Sequence, residues 1–391
     1  MTSHEASSTL PAPSAQQLRH STAVIEAVRA AIHAQGGWLG FDQYLRIVLY
    51  APGLGYYAAG SVKFGHSGDF VTAPEISGLY ARCVASQCAQ VLRVVGGDVL
   101  ELGAGSGRLA AGVLEALAEL GPIPEHYLIL EVSADLRARQ QARLADLPAA
   151  LARRVVWLDT MPAAPIAGVV LANEVADALP FQRFVVEGAN LYERGVALGT
   201  AGELIESDRS AGAELRAELA RIVPGAWPEQ YLSELCTLAD PWIAAIGAAL
   251  ARGAAFIIDY GLPRHEYYHP QRDQGTMCCH YRHRVHEQPL RYPGLQDITA
   301  WVDFTRVAEA AVAAGLTVAG YCTQAAFLLG NGIERELAAA PRTLERARLA
   351  AEARVLLQPG EMGEYVKVMA LTRDFDEPLS GFQHQDLRRS L

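Results

Sequence analysis

The sequence predicts an α/β protein: a seven-stranded, mostly parallel sheet wrapped by helices, with a helical N-terminal extension and two insertions. Three observations lead there. The apolar run Val99-Leu100-Glu101-Leu102 ends in a glycine-rich turn, Gly103-Ala104-Gly105-Ser106-Gly107, and a helical pattern follows over 109–120. Short apolar runs then keep alternating with helical patterns, which is how a parallel sheet with crossover helices reads. The chain has 391 residues, 51% of them hydrophobic and 19% charged, enough for a large core.

Taken in order, residues 1–20 are rich in Ser, Ala and Pro and read as a disordered tail. A helix is expected over 21–36, with Ser21 or Thr22 as N-cap and Gly36-Gly37 as the stop. The stretch Pro52-Gly53-Leu54-Gly55-Tyr56-Tyr57 must be turns. The segment 68–77 leads into a helix through Val94, so 21–80 form the extension and 81–391 the main domain. After the glycine turn come a strand at 127–131, a helix at 134–147, and strands at 155–159 and 168–173. The first insertion, 181–253, alternates like short antiparallel strands and then reads as helices at 211–222 and 231–252. A fifth core strand at 254–259 precedes the second insertion, 262–296, which is dense in His, Arg, Tyr and Pro. A helix at 298–314, a strand at 316–321, a charged helix at 334–357 and a strand at 364–371 complete the reading.

Composition removes several classes of function. Lys and Arg total 33 against 43 Asp and Glu, and a net charge of −10 does not attract a phosphate backbone, so no nucleic-acid partner is expected. No run approaches the roughly 18 apolar residues of a membrane span. Six cysteines without framework spacing point to reduced thiols and a cytoplasmic location. Nothing in the sequence decides between a monomer and a homodimer.

The chemistry is expected at the carboxyl ends of the strands, where ligands lie in a doubly wound sheet. Glycines let the turn approach a ligand, and the N–H groups of the following helix face it. Glu101, two residues before the first glycine, suits a cationic amino acid better than a pyrophosphate. Glu131 lies 24 residues beyond Gly107, the spacing for a carboxylate that accepts both ribose hydroxyls. The dinucleotide pattern G-x-G-x-x-G would need a third glycine where Arg108 stands. The pattern therefore favours S-adenosylmethionine, whose ammonium needs acceptors. Asp159 ends the next strand, within reach of an adenine amino group, although helix capping explains it nearly as well. Glu174 and Asp177, three apart at the end of the fourth strand, could grip a planar guanidinium as a fork.

Cys278, Cys279, His280, His283 and His286 invite a metal reading, but adjacent cysteines rarely serve one tetrahedral ion and no C-x-x-C is present, so no metal is expected. His283 or His286 is the better candidate for a contact with the acceptor. The Tyr and Trp residues of 38–57 read as packing.

Several separate runs resemble the MidA family of class I S-adenosylmethionine-dependent methyltransferases, whose mitochondrial members are complex I assembly factors that methylate a protein arginine. They include Gly53-Leu54-Gly55-Tyr56-Tyr57, Gly68 to Ser77, Glu101 to Gly107, Ala172 to Pro180, Asp259-Tyr260-Gly261, Asp297-Ile298-Thr299 and Met362-Gly363. The resemblance covers about 38–373 and implies a Rossmann-like fold. It implies that Glu101, Gly103, Gly105, Gly107 and Glu131 hold S-adenosyl-L-methionine, with Thr72, Pro74 and Glu75 closing over it; Ala104, Val132, Asp159 and Asn173 complete the expected cofactor contacts. Glu174 and Asp177 would face the acceptor as catalytic residues, and the partner would be a protein substrate such as a respiratory-complex subunit. Val175-Ala176 stands where the family commonly has two aromatics, and Ala104 where it often has proline. A non-catalytic assembly chaperone and a small-molecule methyltransferase are the alternatives.

Overall fold

The structure, a computed structural model, describes residues 10–59, 72–223, 227–340 and 343–391. Its centre is the expected sheet: β1 (Asp98–Leu102), β2 (Tyr127–Leu130), β3 (Val155–Leu158), β4 (Ile166–Asn173), β5 (Leu250–Leu262), β6 (Thr317–Thr323) and β7 (Val366–Arg373). The spatial order is β6-β7-β5-β4-β1-β2-β3. Only β7 runs against its neighbours. An eighth strand of two residues, Val302–Asp303, pairs in parallel with the end of β5.

Side-chain alternation explains why these strands read as continuous apolar runs. Val99, Val169, Leu171, Phe256 and Ile258 pack into one core, while Leu100, Val170, Ala172, Ala255 and Ile257 pack into another on the opposite face. Both faces are covered, so no strand keeps a polar side. The order reverses between β1 and β4. Their carboxyl ends therefore open a crevice between the glycine turn and Asn173-Glu174.

A second, five-stranded antiparallel sheet holds Trp38–Gly40, Gln182–Glu187, Asn190–Leu198, Leu204–Ser210 and Gln230–Leu235. The helices Ala15–Ala34 and Phe41–Tyr50 pack on it through Val28, Ile32, Phe41 and Leu45, together with Phe181, Val196, Cys279 and Ile298. A third, three-stranded sheet joins Cys278–Tyr281, Arg284–His286 and Asp297–Thr299.

Several expectations change. The first helix starts at Ala15, because Ser14 and Gln17 form a reciprocal capping box, so 10–20 are not a disordered tail. Residues 1–9 lie outside the described residues, as do 60–71, which hold Gly68-Asp69-Phe70-Val71. The helix expected at 231–252 is a strand, Gln230–Leu235, followed by a helix, Ala239–Ala249. Pairing with Gln182–Glu187 draws Tyr231, Ser233 and Leu235 into the sheet. The helix expected at 298–314 begins only at Phe304, capped by Asp303, which accepts the Arg306 N–H at 3.1 Å. The charged helix at 334–357 is two helices, Ile333–Ala339 and Thr343–Leu357.

Candidate functional site

A cavity of about 530 Å³ opens at the carboxyl end of the central sheet, within the range of small-molecule sites. One end is formed by the glycine turn and the ends of β1 and β2. The other end is formed by the turn after β4, the 50–57 region and the three-stranded sheet.

At the first end, Glu101 is 2% exposed and accepts the Tyr127 hydroxyl at 2.7 Å. Burial raises its carboxyl from the ordinary 4.5 to about 7, an environment that rewards a cation placed against it. Gly103 has φ +63°, a conformation that favours glycine, and a Cβ there would crowd Val175 Cγ2 at 3.2 Å. The carboxylate of Glu131 accepts the Ser133 N–H at 2.9 Å and the Gln140 side-chain amide at 2.9 Å. The same amide nitrogen donates to the Gly105 carbonyl at 3.0 Å, and Trp157 Nε1 donates to Gln140 Oε1 at 3.1 Å. Gln140, fully buried, therefore fastens Glu131 to the glycine turn.

The segment Ala73–Ile76 lies across this end. The Ser106 hydroxyl and the Arg108 guanidinium, the latter at 3.6 Å, both engage Glu75, and the Ala73 N–H donates to Glu174 at 3.2 Å. Thr72, Pro74 and Glu75 all line the cavity.

At the second end, Glu174 has φ +52°, rare for a residue with a side chain, which turns its carboxylate off the end of β4 toward the cavity. Its N–H donates to the Ile258 carbonyl at 2.8 Å. The turn that follows is held by Asp259, wholly buried, which accepts the N–H groups of Val175 at 3.0 Å, Ala176 at 2.8 Å and Asp177 at 3.2 Å. Asn173 donates to Glu174 at 3.3 Å and accepts the Tyr80 hydroxyl. Burial, then the neighbouring Asp259, raises the Glu174 carboxyl to about 8. Burial, then the charges of Asp259, Asp297 and Glu174, raises that of Asp177.

Thus Thr72, Pro74, Glu75, Glu101, Gly103, Ala104, Gly105, Glu131, Val132, Asn173, Glu174 and Asp177 share one cavity. Two expected cofactor residues do not reach it. Asp159 is 85% exposed and pairs with Arg137 at 2.8 Å, because β3 ends before it and Arg137 on the neighbouring helix draws it outward. Met161 lines the cavity instead. Gly107 shapes the start of helix Arg108–Leu120 with φ +78° and abuts Gln140 rather than the cavity.

Other residues escaped the sequence reading. Tyr50 and Tyr57 line the cavity, although Tyr44 and Tyr56 beside them are core, as expected of aromatics there. In the cysteine- and histidine-rich segment, Cys278 and His280 reach the cavity, while His283 sits exposed in the hairpin turn and His286 lies off the lining. Strand alternation was the available signal: Cys278 and His280 share a face, and Cys279 packs behind it. No group of three or more His, Cys, Asp or Glu suited to a metal ion occurs among the described residues.

The donor set fits a cationic sulfonium coenzyme. Among the described residues, six carboxylates, Glu75, Glu101, Glu131, Glu174, Asp177 and Asp297, line the cavity against one guanidinium, Arg108, which already leans on Glu75. A pyrophosphate would find acceptors where it needs donors.

Comparison with known proteins agrees. A fruit-fly (Drosophila melanogaster) relative, the mitochondrial protein arginine methyltransferase NDUFAF7 homolog, is 29% identical over 84% of this chain and 80% of its own. The human protein arginine methyltransferase NDUFAF7, also mitochondrial, is 27% identical over 84% and 79%. These mitochondrial relatives overturn the cytoplasmic location expected from the cysteines. No described helix is long and apolar enough to cross a membrane. A Burkholderia thailandensis crystal structure with S-adenosyl-homocysteine bound matches with a TM-score of 0.94 at 45% identity, over 98% of this chain and 100% of that one. A family model described as S-adenosyl-L-methionine-dependent methyltransferase matches residues 83–322, and with the cavity's geometry it shows that the chain belongs to that family of methyltransferases.

Proposed function

We propose that this methyltransferase acts on a protein arginine, with Glu174 and Asp177 gripping the guanidinium. The observation that carries the reading is the pair itself: two half-buried carboxyl groups of raised pKa, held by the Asp259-capped turn, in the same cavity as the glycine turn. The named activity of the curated relatives supports it.

Glu101, Glu131 and the glycine turn would hold S-adenosyl-L-methionine, and Thr72, Pro74 and Glu75 would cover it. When bound, that coenzyme supplies an electrophilic methyl group on a positively charged sulfur. The carboxylates of Glu174 and Asp177 would fix the guanidino nitrogen toward it, and such alignment contributes on the order of 7–11 kcal/mol. A methylated guanidinium bears the same single charge as the unmethylated one, so one N–H proton must leave in each turnover. Glu174, with its carboxyl raised to about 8, is suited to take that proton near neutral pH. In line with the family resemblance, we place the acceptor among respiratory-complex subunits.

The test compares cells lacking this gene, complemented with the wild type or with Glu174→Gln, by mass spectrometry of arginine methylation. A methylated arginine that requires the wild type and vanishes with the variant is expected. Identical methylation in both strains, or transfer only to free metabolites, would sink the proposal.

A further inference from the structure

We propose that Tyr80 and Asn173 are positioning residues: the Tyr80 hydroxyl fixes the Asn173 amide, and that amide aims one oxygen of Glu174 at the acceptor, an aim that rests on the guanidinium reading above. Asn173 is the last residue of β4, and Glu174 follows it at φ +52°. That backbone turns the side chain off the sheet but leaves its own torsions open. Hydrogen bonds set the rest, and both fall on the same oxygen. Asn173 Nδ2 donates to Glu174 Oε1 at 3.3 Å, and the Ala73 N–H donates to it at 3.2 Å from the segment lying across the cavity. No described residue donates to Oε2, and Glu174 lines the cavity. Oε2 is therefore the oxygen left for a guanidinium N–H.

Ala73 is a backbone donor, so its direction is fixed. An amide side chain is not: a half-turn about χ2 exchanges Nδ2 for Oδ1 with little change of shape. With Oδ1 turned to Glu174, oxygen would face oxygen and the carboxylate would lose a donor. Tyr80 removes that alternative. Its ring is wholly buried on the helix Gly78–Val95, and its hydroxyl donates to Asn173 Oδ1. The hydroxyl has no other acceptor among the described residues, so turning the amide over would strand its proton. Order thus passes from the helix through the amide to the carboxylate.

This tie stabilises the charged form of Glu174. Burial and Asp259 push its carboxyl up to about 8, against the two donors on Oε1, which pull it down. Freed from Tyr80, the amide can turn Oδ1 to the protonated acid and accept from it, which favours the neutral form. Among the described residues, the titratable groups whose fields reach Glu174 are Asp259 and Tyr260 at the end of β5, Asp177 on the same turn and Tyr80 on the helix. Burial raises both tyrosines and keeps them neutral near pH 8, so removing the Tyr80 hydroxyl changes no charge.

The experiment follows Glu174 itself by infrared difference titration of the full chain, its carboxyl band assigned by its loss in Glu174→Gln. The wild type, Tyr80→Phe, Asn173→Ala and the double variant are compared. Tyr80→Phe keeps the ring and is expected to keep its affinity for S-adenosyl-homocysteine, read by calorimetry. Glu174 in the wild type is expected to titrate at about 8. Asn173→Ala should move it up by about one pH unit, the worth of a charge-assisted hydrogen bond, and Tyr80→Phe by at least about half a unit. The double variant should match Asn173→Ala alone, because Tyr80 acts through the amide. An unmoved Glu174 in either single variant overturns the proposal, and so does a double variant whose shift is the sum of the two. No acceptor enters this measurement, so its failure is distinct from failure of the guanidinium reading, which the methylation test with Glu174→Gln decides.

Discussion

Replacing Glu101 by Gln should change stability and affinity in opposite directions. The carboxyl is 2% exposed and ionises at about 7 in the folded chain against an ordinary 4.5. At pH 8 it is charged in both folded and unfolded states, and burial then destabilises the fold by on the order of 3 kcal/mol. Glutamine removes that charge and keeps an acceptor for Tyr127, with a neutral hydrogen bond weaker by about 1 kcal/mol. The ligand-free variant is therefore expected to be roughly 1–2 kcal/mol more stable than the wild type at pH 8. Near pH 5 the folded carboxyl is protonated and the gain should shrink below about 1 kcal/mol. Affinity for S-adenosyl-homocysteine should fall roughly ten- to a hundredfold, since a charge-assisted contact to its ammonium is lost. Denaturant unfolding at the two pH values and calorimetry with S-adenosyl-homocysteine read both effects. Unchanged affinity, or destabilisation at pH 8, would refute the assignment of Glu101 as the partner of a cation.

Further outcomes follow from the same geometry. Gly103→Val, forced to φ +63° with its Cβ at 3.2 Å from Val175, is expected to abolish S-adenosyl-homocysteine binding, again by calorimetry. Asp259→Ala strips the acceptor from three N–H groups after β4. At about 1–3 kcal/mol for each buried donor left unpaired, it should cost several kcal/mol in denaturant unfolding and abolish methyl transfer. Glu101 and Glu174 have folded values of about 7 and about 8, above the unfolded one. Their stabilising contribution is full below the unfolded value and is lost as pH rises through those two. Thermal or denaturant stability of the ligand-free chain should accordingly fall between pH 5 and 8, by up to about 1.4 kcal/mol per pH unit for each carboxyl. Saturation with S-adenosyl-homocysteine should remove the Glu101 part of the slope, and a profile flat without ligand contradicts the burial argument.

Much of the molecule was legible because its signals are local. Each core strand is a short apolar run bounded by turn residues, and a buried parallel strand needs nothing else to declare itself. The glycine turn with Glu101, and Glu131 beyond it, carry their meaning in spacing along one βαβ unit. Glu174 and Asp177 were visible because they sit at a strand end. Misreadings fell where partners are far apart in sequence. Tyr231–Leu235 has enough apolar residues for either periodicity, and pairing with Gln182–Glu187 chose the strand. Asp159 was expected at the cavity from its position in the chain, and in the folded chain its exposed side chain pairs with Arg137 off the lining.

Alternating runs and glycine spacing sufficed to establish a wound α/β core and an acidic cradle for a sulfonium coenzyme. That is physically reasonable, since strand, turn and helix in such a unit are consecutive and their side-chain directions follow from period alone. The opposite wall of the cavity was beyond that logic. Tyr50 and Tyr57 come from the N-terminal region, and Cys278, His280 and Asp297 from a small sheet more than 200 residues later. Which of their alternating faces meets the cavity depends on strand register and on the core beneath the N-terminal helices, and both exist only once the chain has folded.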